Sequence, residues 1–422
     1  MINLNEMTRS AREAARCLGV MDRERKDQAL MRLADLLEDQ TAPVLSANAI
    51  DIELAEEAGL AAALIDRLRL SAASLHALAA DVRNVAQLPD PVGEVFDRKV
   101  LPNRLMVHKQ RVPLGVLAVI YESRPNVTVD VSSLALKSGN SVILRGGKET
   151  LYTNRALLKI IQQALIDCAV PIGAVQFIDS SDRAVVMDLI QMADDVDMLI
   201  PRGGAGLHSF CREHSRIPVM TGGIGICHLF VDQSADQAAA VRIIHNAKTQ
   251  RPSVCNALDT VLVHRAVADD FIPAMIADLV RDGVVFRLDP PAMDCIKEAS
   301  FDPGQVSPAG PQDFDTEWLS LVLGVRVVGD LDAAIEHIHM HSTGHSDGIL
   351  TRDKANADRF VAQVDSAAVY VNASTRFTDG GQLGLGAEVA ISTQRLHARG
   401  PMALEELTTY KWVIIGNNHV RD

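Results

Sequence analysis

From about residue 105 the sequence alternates between two hydrophobic periods in a steady rhythm. Short apolar runs (GVLAVIY, SVILR, AVQFI, DMLI) take turns with longer stretches of helical spacing (VTVDVSSLALKSGN, NRALLKIIQQALIDCA, DRAVVMDLIQMA, GAGLHSFCREH). Strands that are apolar throughout need cover on both faces. Alternating with helices, they predict a parallel sheet between two helical layers. Gly139 is placed to cap the first of these helices. A second series follows with ICHLFVD, TVLVH, AVADDFIPAMIADLV, LVLGVRVV, LDAAIEHIHMH, GILTR, NADRFVAQV and AAVYVNA. The fold class is therefore α/β, and such sheets bind nucleotides beyond the carboxyl ends of their strands.

Three stretches stand outside this rhythm. Residues 8–87 read as several helices forming a covering layer. Residues 285–317, rich in Pro, Asp and Gly, read as an irregular surface excursion. LMVHKQ and GVLAVIY read as two strands joined through RVPLG, and the late strand TTYKWVIIG is expected to complete a sheet in a partner subunit.

At 422 residues the chain is too long for one core, and two or three domains are expected. A net charge of −13 argues against nucleic acid, which needs a basic surface, but leaves room for a small anionic substrate held by local cations. The six cysteines are scattered with no CxxC pair, which excludes a zinc ribbon and a thioredoxin-type motif and favours reduced thiols. MINLNEMTRSAREAARCLGV lacks the apolar segment of a signal peptide, and no apolar run is long enough to span a bilayer. A cytoplasmic protein without membrane contact is the expectation.

The chemistry concentrates in NAKTQRPSVCNALDTVLV, residues 246–263. Cys255 follows a helical segment and a Pro turn and precedes an apolar strand. Lys248, Arg251, Arg242 and His245 surround it in sequence, and positive neighbours favour the nucleophilic thiolate. A buried structural cysteine is the competing reading.

Glycine clusters stand at Gly146-Gly147, at Gly203-Gly204 with Gly206, at Gly222-Gly223 with Gly225, and at Gly380-Gly381 with Gly384 and Gly386. None forms GxGxxG after the first strand, and tight turns or caps would also explain them. RGGAGLH opens a helix with bare N–H groups, suited to a pyrophosphate or a nicotinamide-side contact. ILRGGKE ends a strand with Arg145 and Lys148, two cations that lean towards NADP(H), although Glu149 would suit a free ribose diol.

His337, His339, His341 and His345 raise a metal reading. His337 and His341 share a helix face, but Ser342-Thr343-Gly344 should end that helix. No cysteine completes a metal spacing, so the expectation is packing beneath an active-site wall and no metal.

The order of these motifs resembles the aldehyde dehydrogenase superfamily. The segments RVPLGVLAVIYESRPNVTVD, SVILRGGKE, IPRGGAGLH, IPVMTGGIGICH, NAKTQRPSVCN, HIHMHSTGHSDGIL, VYVNASTRFTDGGQLGLGAEVAIST and LHARGPMALEELTTYKW more narrowly resemble the gamma-glutamyl phosphate reductases, also called glutamate-5-semialdehyde dehydrogenases, over nearly the whole chain.

The resemblance implies an NADP-binding domain (1–104 and 124–231) and a catalytic domain (232–384). It also implies a β oligomerisation arm made of a 105–123 hairpin and residues 385–422. It further implies the second step of proline biosynthesis from glutamate. In that reaction the Cys255 thiolate attacks the acyl carbon of L-glutamate 5-phosphate, phosphate leaves, and hydride from NADPH turns the thioester into L-glutamate 5-semialdehyde.

By analogy with the superfamily, the Asn126 amide and the Cys255 N–H would hold the oxyanion. Arg145, Gly146, Gly147, Lys148, Gly203, Gly204 and Glu317 would bind the cofactor. Glu317 reads equally as a solvated loop carboxylate. Arg124, Lys248, Arg251 and Arg376 are candidates for the substrate's phosphate and α-carboxylate, and each reads equally as structural. Val219 stands roughly where hydrolytic relatives carry a Glu that activates water, and its loss suits an enzyme that must spare its thioester.

A homo-oligomer (dimer or dimer of dimers) and a complex with glutamate 5-kinase are the expected partners. The rival readings are a general or CoA-acylating aldehyde dehydrogenase and a catalytically silent partner of the kinase.

Overall fold

The computed structural model describes residues 3–222, 224–297, 301–302 and 304–421. The chain divides into two compact units, Met1–Thr221 with Gly384–Ala390 and Met402–Asp422, and Gly222–Leu383 with Ile391–Pro401.

The first unit opens with five helices: α1 (Leu4–Leu18), α2 (Arg23–Asp39), α3 (Thr41–Glu57), α4 (Ala62–Leu68) and α5 (Ala72–Gln87). Asn3, Asp22 and Ser71 cap three of them through side-chain oxygens. Two strands follow, β1 (Val95–Val100) and β2 (Met106–Pro113). Then comes the alternating series β3 (Val116–Tyr121), α6 (Val127–Lys137), β4 (Ser141–Arg145), α7 (Leu151–Asp167), β5 (Val175–Phe177), α8 (Arg183–Leu189), β6 (Met198–Arg202) and α9 (Ala205–His214).

The sheet β5-β4-β3-β6 is parallel throughout, with β3 at its centre. Every residue of β3 is buried, as a strand apolar on both faces demands. Val116, Ala118 and Ile120 pack in one core with Ala11 and Ala15 of α1, Leu189 of α8 and Cys211 of α9. On α6, Thr128 meets the Tyr121 hydroxyl at 2.6 Å. The helical segment 8–87 is therefore not one uniform layer. α1 lies against the sheet strands, while α2 and α3 pack on α7, and α5 packs on α2 and α6.

The expected 105–123 hairpin does not exist. β2 pairs antiparallel with β1, and β3 turns away into the parallel sheet. Gly115 makes the turn at φ +127°, where a Cβ would lie 2.2 Å from an Asp197 carboxylate oxygen. That oxygen accepts the Val116 N–H at 2.7 Å, and Asn140 Oδ1 accepts the Gly115 N–H at 2.8 Å.

The second unit continues with β7 (Cys227–Val231), α10 (Gln237–Thr249), β8 (Leu258–His264), α11 (Arg265–Leu279), β9 (Val285–Leu288), α12 (Pro290–Asp294), β10 (Val306–Pro308), β11 (Val322–Val328), α13 (Leu331–His341), β12 (Ser346–Leu350), α14 (Lys354–Gln363) and β13 (Ala368–Val371). Its seven-stranded sheet runs β10-β9-β11-β8-β7-β12-β13, again all parallel. Alternate residues feed two cores. Leu229, Val231, Val261 and Val263 pack with Ile244 and Phe271 of α10 and α11, and Phe230 and Leu262 pack with Ile335 and Phe360 of α13 and α14. The 285–317 stretch is more regular than expected, because β9 and β10 extend the sheet by parallel pairing.

The chain ends through β14 (Ala390–Ser392), β15 (Gly400–Met402) and β16 (Thr408–Ile415). β16 does not wait for a partner subunit. It pairs with β2 of its own chain from Thr408↔Pro113 to Ile415↔Met106, giving a three-stranded antiparallel sheet β1-β2-β16.

Candidate active site

In the second unit, α10 ends at Thr249, the chain turns through Pro252, and Cys255 sits half-buried in the turn before β8. The Ala257 N–H closes this turn onto the Val254 carbonyl at 3.0 Å. Gly225 lies directly over the turn, where a Cβ would stand 1.6 Å from the Cys255 carbonyl oxygen, so only glycine fits. The Gly225 N–H donates to Glu317 Oε1 at 2.9 Å. The structure thus brings Glu317 and Cys255 to the same glycine. Burial raises the Glu317 pKa, and the Gly225 hydrogen bond opposes it. The next N–H, that of Ile226, donates to Thr343 Oγ1 at 3.0 Å, so the STGH segment after α13 supports the same floor. Gly223 lies outside the described residues.

Beneath this turn is a polar hub. Asp259 of β8 accepts the Cys227 N–H at 3.3 Å and the Trp318 N–H at 3.1 Å. The Lys248 ammonium lies 3.7 Å from it and donates to the Leu258 carbonyl at 2.8 Å. Burial pushes Lys248 down to about 8 against the pull of Asp259, and pushes Asp259 up to about 6 against the pull of Lys248. Lys248 is 0% exposed, so it holds the fold beneath Cys255 and is not placed to grip a substrate anion. That corrects the expectation for this residue. Cys227, wholly buried, points its thiol at the Cys255 carbonyl at 3.3 Å. Burial raises its pKa well above the usual thiol range, so it stays protonated as an inert donor.

The other two cations of this unit fare differently. Arg251 is exposed, and Arg376 is half-buried with its Nε on Gln250 Oε1 at 2.7 Å. Burial lowers the Arg376 pKa; Asp379 opposes this, Arg251 reinforces it and Cys255 opposes it. Arg251, Arg376 and Cys255 therefore share one electrostatic neighbourhood. Asn256, next to Cys255, is pinned by Nδ2 donation to the Thr378 carbonyl at 2.9 Å and by the Thr375 hydroxyl donating to its carbonyl at 2.7 Å.

In the first unit the ends of β4, β3 and β6 form a second constellation. Gly146 and Gly147 leave room that a Cβ would deny, against Asn154 Nδ2 at 2.2 Å and Glu149 Oε1 at 2.1 Å. Arg145 is half-buried and its guanidinium reaches the Ser181 carbonyl at 3.5 Å, while Lys148 is exposed. Glu149 bends back and accepts both the N–H and the hydroxyl of Ser123 at 2.8 Å. Gly204 opens α9, and its N–H is taken by Glu122 Oε2 at 3.1 Å, an acid the sequence reading passed over. Glycine turns, flanking cations and a helix N-terminus beyond parallel strands fit a phosphate-bearing dinucleotide.

Asn126 begins α6 in this unit, and its amide donates to Asp130 Oδ2 at 2.8 Å. Arg124 lies just ahead of it, with its carbonyl accepting the Val127 N–H at 3.2 Å. Val219 bridges Leu199 at the edge of the same sheet.

The histidines have separate uses. His337 is buried edge-on to His228 and Phe314, with Nδ1 3.1 Å from Arg326; His341 bonds Asp315 at 2.7 Å, His339 the Gln363 carbonyl at 3.1 Å, and His345 the Ser346 hydroxyl at 2.8 Å. Among the described residues no three His, Cys, Asp or Glu side chains are grouped to hold a metal, and no helix is long and apolar enough to cross a membrane.

Residues 3–285 match the sequence profile of the Aldehyde dehydrogenase family. The chain is 58% identical over 423 residues to the gamma-glutamyl phosphate reductase of Roseiflexus castenholzii, covering 100% of both. It is 55% identical over 418 residues to that of Proteus mirabilis, covering 99% of this chain and 100% of the relative. The crystal structure of gamma-glutamyl phosphate reductase from Thermotoga maritima superposes with a TM-score of 0.96 at 45% identity over 100% of both chains.

Proposed function

This chain belongs to the aldehyde dehydrogenase family, and from that premise we propose the reaction and the residues that carry it. The protein is an oxidoreductase that reduces gamma-glutamyl phosphate to glutamate 5-semialdehyde with release of phosphate, in proline biosynthesis. The observation that carries this reading is end-to-end identity of 55–58% to relatives of that name.

Cys255 is the nucleophile. Its thiolate attacks the acyl carbon, the C–O bond to phosphate breaks, and phosphate leaves without needing a strong acid. The rigid turn under Gly225 fixes the direction of attack, and Arg251 and Arg376 supply positive charge for the anionic substrate. Arg124 is a further cation for the same purpose, and the Asn126 amide is the donor to the oxyanion. Val219 offers no base to activate water, so the acyl-enzyme is spared hydrolysis.

The family's cofactor is a nicotinamide dinucleotide, which when bound supplies the hydride that reduces the acyl group. Arg145, Gly146, Gly147, Lys148, Gly203 and Gly204 would hold its phosphates, and Glu317 its ribose. Two features favour NADP(H). Arg145 and Lys148 stand at the end of β4, with Arg183 adding to the charge around Arg145, and Glu149 is turned away to Ser123. Ile414, Ile415 and Trp412 are exposed on edge strand β16, which supports association into a homo-oligomer. The cytoplasm is the compartment proposed, and a complex with glutamate 5-kinase fits the lability of an acyl phosphate.

The test is oxidation of glutamate semialdehyde with each nicotinamide, with and without phosphate. Turnover that needs phosphate and prefers NADP+ is expected. Cys255→Ala should fall to background while still binding the dinucleotide, and normal turnover by that variant would overturn the assignment.

A further inference from the structure

The amide of Asn126 has two donor hydrogens and one acceptor oxygen, and a half-turn about its last bond exchanges them. Whether it can donate to an oxyanion depends on what fixes that rotation. In the structure one hydrogen goes to Asp130 Oδ2 at 2.8 Å, one helical turn further along α6. An ionised carboxylate only accepts, so it selects the orientation with Nδ2 inward. Among the described residues Nδ2 has no other partner, and its second hydrogen stays available. Asp130 is itself held firmly, because Val129 and Val131 on either side are buried and its own N–H donates to the Asn126 carbonyl at 3.0 Å. Burial pushes the Asp130 pKa up to about 6 and Asp81 adds to the rise, while the Asn126 hydrogen bond and Arg202 lower it, so the carboxylate is the main form at neutral pH.

We propose that Asp130 is a positioning residue that locks the Asn126 amide in the orientation of an oxyanion donor, through the carboxylate–amide hydrogen bond at the start of α6. This rests on the reading of Asn126 given above. A bond to a charged acceptor is stronger than one to a neutral acceptor, so it holds the amide in one orientation and keeps the second N–H directed away from Asp130.

The experiment is a double-mutant cycle on the whole enzyme, with kcat and KM measured in phosphate-dependent oxidation of glutamate semialdehyde. Asn126→Ala should lower kcat about a hundredfold or more. Isosteric Asp130→Asn should lower kcat about tenfold with KM changed less than about twofold. The double variant should be no worse than Asn126→Ala alone, because Asp130 acts through the amide. Asp130→Ala, put through the same cycle, guards against one variant failing to fold, and thermal unfolding checks each. Losses that multiply in the double variant, or a shift in KM with kcat intact, overturn the positioning role and leave the oxyanion reading standing. Full activity in Asn126→Ala would instead remove the oxyanion reading and this inference with it.

Discussion

The two parallel sheets share an architecture but finish their strands in opposite ways. The four-stranded sheet of the first unit ends in glycine turns. Beyond β4 and β6 come glycine pairs, one exposed lysine and a helix N-terminus whose first N–H is covered by the chain's own Glu122. The seven-stranded sheet of the second unit is stitched internally. Lys248, Asp259, His228 and Asp347 are all buried there and bonded to one another or to backbone. On the proposed reading, a surface that is to bind a cofactor's phosphates has to leave cations such as Lys148 reachable. A turn that aims a sulfur has to be rigid before substrate arrives, so the chain completes it from within.

The contrast can be broken at Lys248. If the second region is held by its own charge pair, Lys248→Met strands a buried carboxylate and should destabilise the protein by about 3–5 kcal/mol in urea unfolding. A loss below about 1 kcal/mol would mean the pair is incidental. Gly225→Ala probes the same rigidity from above. The methyl would displace the Cys255 carbonyl, and kcat should drop about a hundredfold, as a misplacement of about 1 Å typically costs.

The first region should respond in affinity instead. If Arg145 and Lys148 hold a 2′-phosphate, as proposed, Arg145→Ala with Lys148→Ala should raise the KM for NADP(H) about tenfold while leaving that for NAD(H) nearly unchanged, with kcat preserved.

Acid sharpens the comparison further. Burial pushes His337 down to about 2, with His228 as a secondary cause, and His345 down to about 4. Both folded-state pKa values lie below the unfolded value of about 6.5, so only the unfolded chain takes the proton. Their stability is intact above about pH 6.5 and is lost as the pH falls below it, by about 1 kcal/mol per histidine over the first pH unit. His337→Phe should remove its share of that slope in urea unfolding measured from pH 7 to 5.

Much of this was legible in the order of residues. The all-apolar runs GVLAVIY and SVILR could only be buried parallel strands, and β3 and β4 are that. What misled was the first strand pair. LMVHKQ and GVLAVIY are close in sequence, yet Gly115 sends them into different sheets, and the true neighbours of β2 are β1 and the distant β16. Lys248 shows the same limit at the site. Its position beside Cys255 in sequence reads as a substrate cation, whereas α10 turns it inward to Leu258 and Asp259. Asp259 carried a signal that was passed over, since a charge inside the apolar run LDTVLV needs a buried partner. Asp130 carried another, four residues after Asn126 on one helix face.

The sequence by itself determined the α/β class, the family and the chemical candidates, because these follow from local periodicity and from short motifs that read the same in any context. Only the tertiary structure decided which strands pair, which cations stay in water and which amide hydrogen is spoken for. Those depend on contacts between residues far apart along the chain, where burial and hydrogen-bond partners, and not residue type, set what a side chain can do.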